Sequence, residues 1–289
     1  MTIRTLLMLS LLFLSLPSYA EPPSLKDRFE ALAVAGDVEE IAKLWRANEG
    51  RTLLVIDSYL EGSLGMIEKQ DQPDPAKIAE MHARALLGAR AADVAFGRSI
   101  FSDYTASFVG WTREQQKQFR AGQGAFGEAR KAAKAGEHAK ALAAAQRCID
   151  LARPLGDWWG LAMGLSARGA AEQKLGKAEA ALASHSDARL VHASLGLRSS
   201  AYRNARSIAT LLVELERLPR AAVAIENALV LAREFGDAAG EIELLQLRAN
   251  LEDKRGDAKA ATATRKQVAD LQAKAKQEAA KEKAAKKAE

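Results

Sequence analysis

The sequence predicts an all-α protein, an α-solenoid of stacked helical hairpins preceded by an irregular helical cap. Three observations carry that expectation. Residues 136–275 match themselves at a constant spacing of 40, with no insertion or deletion. Glycines recur within that register where a helix should stop. The composition leans to helix, since Ala is abundant, aromatics are only 6%, and few stretches alternate Val, Ile and Thr as strands do. With 289 residues, 48% hydrophobic and 27% charged, the chain can bury a core, which argues against wholesale disorder.

The register shows itself as columns. Gly136, Gly176 and Gly256 form one, with Glu216 in the remaining place. Ala141, Ala181, Ala221 and Ala261 form another, and Cys148, Ala188, Ala228 and Val268 a third. Leu151, Val191, Leu231 and Leu271 form a fourth. Gly156, Gly196 and Gly236 form a fifth, preceded by Leu155, Leu195 and Phe235. Ala129, Gly169, Ala209 and Ala249 form a sixth. Glycine takes the left-handed cap conformation at low cost, so each glycine column marks a helix C-terminus. Asp157, Asp237 and Asp257 follow directly and suit the N-cap of the next helix. The columns of small residues mark where two helices approach most closely. One long coiled coil is the structural rival, and the recurring Gly-Asp breaks argue against it.

At these positions the chain resembles the tetratricopeptide (TPR) family. The resemblance rests on the small residue late in a first helix (Gly169, Ala209, Ala249), glycine at the hairpin turn, Ala five residues later, and a small residue seven beyond that. It is similar to the subtype with a spacing of about 40 residues rather than 34, in which a Leu-Gly-Asp element such as Leu155-Gly156-Asp157 joins units. The match covers roughly residues 112–275. The large aromatic expected after the turn is missing: His138, Ala178, Leu218 and Ala258 stand there.

Residues 21–111 read as helices outside the register. Ser24 and Asp37 are expected N-caps, Gly36 and Gly50 expected stops, and Asp74-Pro75 opens a helix. Thr112 and Gln115 form a capping box at the start of the region 112–273. Phe96, Phe101, Tyr104, Phe108, Trp111, Phe119 and Phe126 are read as packing of the cap onto the first repeat. Of Trp158 and Trp159 at a unit junction, one is expected to pack between units and the other to be exposed. Residues 274–289 are a Lys/Ala/Glu-rich charged tail, expected to extend as a helix or a disordered arm.

Residues 1–20 read as a secretory signal: Arg4, the apolar run Leu6–Leu16, Pro17, then Ser18-Tyr19-Ala20 with cleavage after Ala20. The run is shorter than the roughly 20 residues that span a bilayer. The expectation is a periplasmic or secreted protein without a stable membrane anchor after cleavage. Cys148, the only cysteine, is expected to be a buried small hydrophobe.

Chemistry-bearing constellations are sparse. Gly122-Gln123-Gly124-Ala125-Phe126-Gly127 matches G-x-G-x-x-G, but the residues before it read as helix where a dinucleotide fingerprint needs a strand. His185 and His192 lie seven apart on one helix, too far for a shared metal. No nucleophile elbow appears. The reading assigns no catalytic residue, metal ligand or cofactor, and the chain is expected not to be an enzyme. The net charge of +5 is spread over 42 basic and 37 acidic residues, without a nucleic-acid-binding module.

The resemblance implies a scaffold that binds another protein or peptide in a groove lined by the first helix of each hairpin, and the signal pattern makes it an exported one. Carried over by register, the groove residues are Arg130 and Lys134; Met163, Ser166, Gln173 and Lys174; Arg203, Arg206 and Thr210; and Glu243, Gln246 and Asn250. Acidic groups of the partner are expected near Arg203 and Arg206. The alternative is a sensor whose aromatic-rich cap encloses a small molecule.

Overall fold

The computed structural model describes residues 22–288, so the expected signal segment 1–20 lies outside the described residues. These contain thirteen α-helices and one 3₁₀ turn, Arg153–Leu155, with no strand. Five helices come first: α1 (Leu25–Ala35), α2 (Val38–Arg46), α3 (Glu49–Lys69), α4 (Pro75–Phe96) and α5 (Ile100–Gly110). Their ends follow local chemistry. Ser24 and Asp27 close a capping box on α1, Asp37 accepts the Glu39 and Glu40 amides, and Asp74 caps α4 with Pro75 at its first position. Gly36 and Gly97 end α1 and α4 in the left-handed conformation. Gly50 does not stop a helix; it lies in the first turn of α3. The break is at Ala47 and Asn48 instead, where the Asn48 amide donates back to the Leu44 carbonyl at 2.8 Å.

From Thr112, whose capping box with Gln115 is present, the chain continues as α6 (Arg113–Lys134), α7 (His138–Ala152), α8 (Trp158–Lys174) and α9 (Ala178–Ser194). Then follow α10 (Arg198–Glu214), α11 (Leu218–Glu234), α12 (Ala238–Lys254) and α13 (Ala258–Ala288). Each packs on its neighbours in the chain, giving a helical repeat-like, all-α architecture. The expected border at 273/274 falls inside α13, which runs through it as one helix.

The backbone repeats twice as often as the side chains. From α7 onward helices begin every 20 residues, at His138, Trp158, Ala178, Arg198, Leu218, Ala238 and Ala258. Two residues before each start sits a left-handed residue: Gly136, Gly156, Gly176, Gly196, Glu216, Gly236 and Gly256. Each turn closes with the same pair of bonds. At Gly176, for example, its own amide reaches the Gln173 carbonyl and the Lys177 amide reaches that of Glu172. Glu216 is the one non-glycine residue with positive φ (56°) among the described residues.

The small-residue columns are the buried seams. Ala141, Ala181, Ala221 and Ala261 are buried, as are Cys148, Ala188, Ala228 and Val268, and Ala129, Gly169, Ala209 and Ala249. At Gly169 the approach is so close that an added Cβ would lie 2.8 Å from the His185 ring on α9. Burial pushes the Cys148 thiol up to about 11, so it is an inert, neutral filler.

The first five helices form their own core around α4, which packs against α1, α2, α3 and α5. Phe29 and Trp45 stack at 5.1 Å, and the Trp45 indole donates to the Gly88 carbonyl at 3.0 Å. The aromatic run 96–126 is mostly core, with Phe101, Tyr104, Phe108, Trp111 and Phe119 buried and Phe96 and Phe126 partly so. Trp111 donates to the Leu155 carbonyl at 2.9 Å, which ties this group to the turn before α8. Arg98 donates to the Ala193 and Ser194 carbonyls at the end of α9, as a C-terminal cap supplied from afar. The covered edge therefore holds Leu155 (3% exposed) and Leu195 (0%), whereas Phe235 in the same column is 40% exposed. Neither Trp158 nor Trp159 is fully exposed, because both pack against this junction.

Two stability outcomes follow. Glu216→Gly relieves a left-handed Glu conformation that costs about 1–2 kcal/mol, part of which returns as glycine chain entropy. Urea melts should show a net gain of about 0.5–1 kcal/mol. Gly169→Ala should destabilise by about 1–3 kcal/mol in the same assay, because overpacking against His185 outweighs the better helix propensity of Ala.

Candidate functional site

The helices present two different faces. The even-numbered helices α8, α10 and α12 line one, and α9 and α11 flank the other.

On the even-helix face, Gln173 of α8, Arg203, Arg206, Ser207 and Thr210 of α10, and Glu243 of α12 surround a recess of about 230 Å³. Five residues picked by register, Gln173, Arg203, Arg206, Thr210 and Glu243, thus come together. Their charges are not equally available. Arg206 is paired with Glu243 and lies 3.4 Å from the Asp237 carboxylate. Asp237 caps α12 through the Gly240 amide at 2.9 Å and accepts the Tyr202 hydroxyl at 2.9 Å. Those bonds, the Gly240 amide first, hold its carboxyl below the usual range. Burial and then the bond to Asp237 push Tyr202 up to about 12. Arg203 is exposed, and its guanidinium bonds the Ser200 hydroxyl at 2.8 Å and no carboxylate among the described residues.

The other register picks lie outside the recess. Arg130 covers the Phe126 ring at 5.8 Å. Lys134, Lys174, Gln246 and Asn250 are exposed and line no cavity with it. Met163 faces a separate cavity against the N-terminal helices. Ser166 is turned into the protein, where it bonds Asn204.

That bond belongs to a buried polar cluster beneath the face. Asn204 accepts from His185 Nδ1 (2.8 Å), donates to the Ser200 carbonyl (2.9 Å) and lies 3.3 Å from His192 Nδ1. Burial brings both imidazoles below the ordinary range, His192 to about 4. Asn204 links the two imidazoles, and among the described residues no three His, Cys, Asp or Glu side chains cluster as metal ligands would.

The opposite face carries a surface that register reasoning missed. Between α9 and α11 lies a groove of about 730 Å³, floored by Ala201, Ala205, Ile208 and Leu212 of α10. Val223, Ala224 and Leu231 form an apolar wall, and Val223 is 62% exposed. Arg189, Arg198 and Arg220 stand at its rim with one acid, Glu49. Glu49 is held by Arg98 and Arg198 by Glu234. A sequence signal was present in Val223, which is large and apolar at a solvent position of α11, but it lies outside the six columns described above. No helix among the described residues is long and apolar enough to cross a membrane.

No family model matches this chain, and no curated protein matches it.

The buried histidine makes stability pH-dependent. Between pH 6.5 and about 4 the unfolded chain takes up a proton at residue 192 that the folded chain does not. That component of stability falls on acidification, by up to about 3 kcal/mol. The stability gap between the wild-type chain and His192→Gln should therefore narrow as pH drops from 7 to 4 in chemical denaturation.

Proposed function

We propose that the chain is a TPR-like solenoid, exported to the periplasm or secreted, that serves as a scaffold for another protein or peptide and has no catalytic centre of its own. The observation that carries this reading is the recess on the even-helix face. Residues chosen by register alone surround it, drawn from three successive even-numbered helices. Such a surface suits a segment laid across several units. Arg203 supplies a carboxylate-binding guanidinium, while Arg206 is occupied by Asp237 and Glu243 and acts as a strut. The export reading is supported by the amino-terminal sequence pattern alone.

A second reading is favoured by the groove between α9 and α11. It is larger and apolar, and its rim is basic. It suits the apolar stripe of an amphipathic helix whose flanks carry Asp or Glu.

Crosslinking and recovery from the native cell envelope, with the mature chain tagged at its C-terminus, distinguishes the two. Arg203→Ala with Gln173→Ala should weaken recovery of a specific protein about fivefold, as loss of about 1 kcal/mol implies. Val223→Asp should leave it unchanged. The reverse pattern assigns the site to the α9–α11 groove, and no effect of either variant sinks both groove readings.

A further inference from the structure

We propose that the junction between the N-terminal helices and α6–α8 is a binding site for a small organic cation, an alkylammonium about the size of a diamine. This does not depend on the groove readings. A cavity of about 190 Å³ opens where α3, α5, α6 and α8 meet. Tyr104, Phe119 and Trp159 line it with aromatic surface, and Asp57, Glu61 and Asp157 bring carboxylates.

Glu61 is already satisfied: Gln123 and Arg120 donate to its two oxygens, each at 2.7 Å. The two aspartates are not. Asp57 Oδ1 accepts the Tyr104 hydroxyl at 2.6 Å, and Asp157 Oδ1 accepts the Gly160 amide at 2.8 Å. The second oxygen of each accepts nothing from the described residues, yet remains reachable by water. Asp157 is only 5% exposed. Leaving a buried carboxylate half-paired is expensive.

The register explains what is missing. Asp237 occupies the same place eighty residues later and caps its helix in the same way. There, Tyr202 supplies a hydroxyl and Arg206 a positive charge. Eighty residues before Tyr202 and Arg206 stand Gly122 and Phe126. Gly122 lines the cavity. The space is the one a tyrosine side chain would fill, and the absent charge is the one an arginine would bring. The glycine of the G-x-G-x-x-G run thus clears room beside carboxylates, where a phosphate would be repelled.

The charge around the site is negative. Facing it are Asp57 and Glu61 of α3, Tyr104 of α5, Arg120 of α6, Cys148 of α7 and Asp157 before α8. Arg120 is shared between Glu61 and Glu68, bonds neither aspartate, and exerts only a small pull on Asp57. Burial, chiefly, raises Asp57 to about 7 and Asp157 to about 6, so both are ionised at pH 8 and protonated at pH 5. Aromatic faces beside carboxylates select an organic cation. A volume of about 190 Å³ suits a compact cation such as a diamine.

The test is isothermal titration calorimetry on the full mature chain at pH 8. The probes are butane-1,4-diamine and tetramethylammonium, with butane-1,4-diol as the neutral control. At least one cation should bind and the diol should not. Affinity should fall about tenfold or more in Asp57→Asn and in Asp157→Asn, with circular dichroism melts showing both folded. Asn keeps the hydroxyl acceptor at 57 and the helix cap at 157. Affinity should also fall at least about tenfold from pH 8 to pH 5 in the wild-type chain. No heat from either cation, equal binding of the diol, or binding that survives the double Asn variant would overturn the proposal. The pH and diol arms need only the wild-type protein, so they decide even if a variant misfolds.

Discussion

The left-handed residue that ends each helix from α6 to α12 is the constraint on which the rest of this architecture depends. It reverses the chain in the same way each time, with one amide bonded three residues back and the next bonded five back. Equal turns every 20 residues impose helices of nearly equal length, and equal lengths return each side chain to the same place on every second helix. Only then can Ala and Gly fall in register and let neighbouring helices pack closely. Glu216 keeps the conformation at the one turn without glycine, which shows that the surrounding packing, rather than the residue, sets the backbone there.

The N-terminal helices add a different kind of order. Their large aromatics make a core that the small-residue seams of α6–α13 could not supply, and they bury one edge of the array. The attachment is polar as well as apolar. Trp111 and Arg98 donate to carbonyls at two turns of the same edge, those of Gly156 and Gly196. Coverage ends before the third turn, leaving Phe235 against Tyr202 and open to solvent. A single structural column thus has buried and exposed members, decided by what lies over it.

Electrostatics separates otherwise equivalent positions. Asp157 and Asp237 perform the same capping task, yet one carboxyl is raised and the other lowered. Burial, chiefly, raises Asp157, whereas Asp237 is less buried and is lowered first by its Gly240 amide bond and then by the Tyr202 hydroxyl and Arg206, side chains whose places are taken by Gly122 and Phe126 ahead of Asp157. The same logic removes Arg206 from the supply of free charge on the even-helix face and leaves Arg203 available.

The sequence alone determined the features that rest on interactions within a turn or two of helix. The N-caps at Ser24, Asp37, Asp74 and Thr112, the stops at the glycine columns, and the buried Ala, Gly and Cys148 seams were legible because propensity and capping act over a few residues. Gly50 misled for the converse reason, since glycine is also tolerated in a first turn. Tertiary structure decided everything that joins residues 30 or more positions apart. It turned Ser166 inward to Asn204, drew Met163 under the N-terminal helices, paired Arg206 and opened the groove between α9 and α11. Register states which helix face a residue occupies. What stands opposite that face, and whether a charge there is already answered, depends on how distant helices come together.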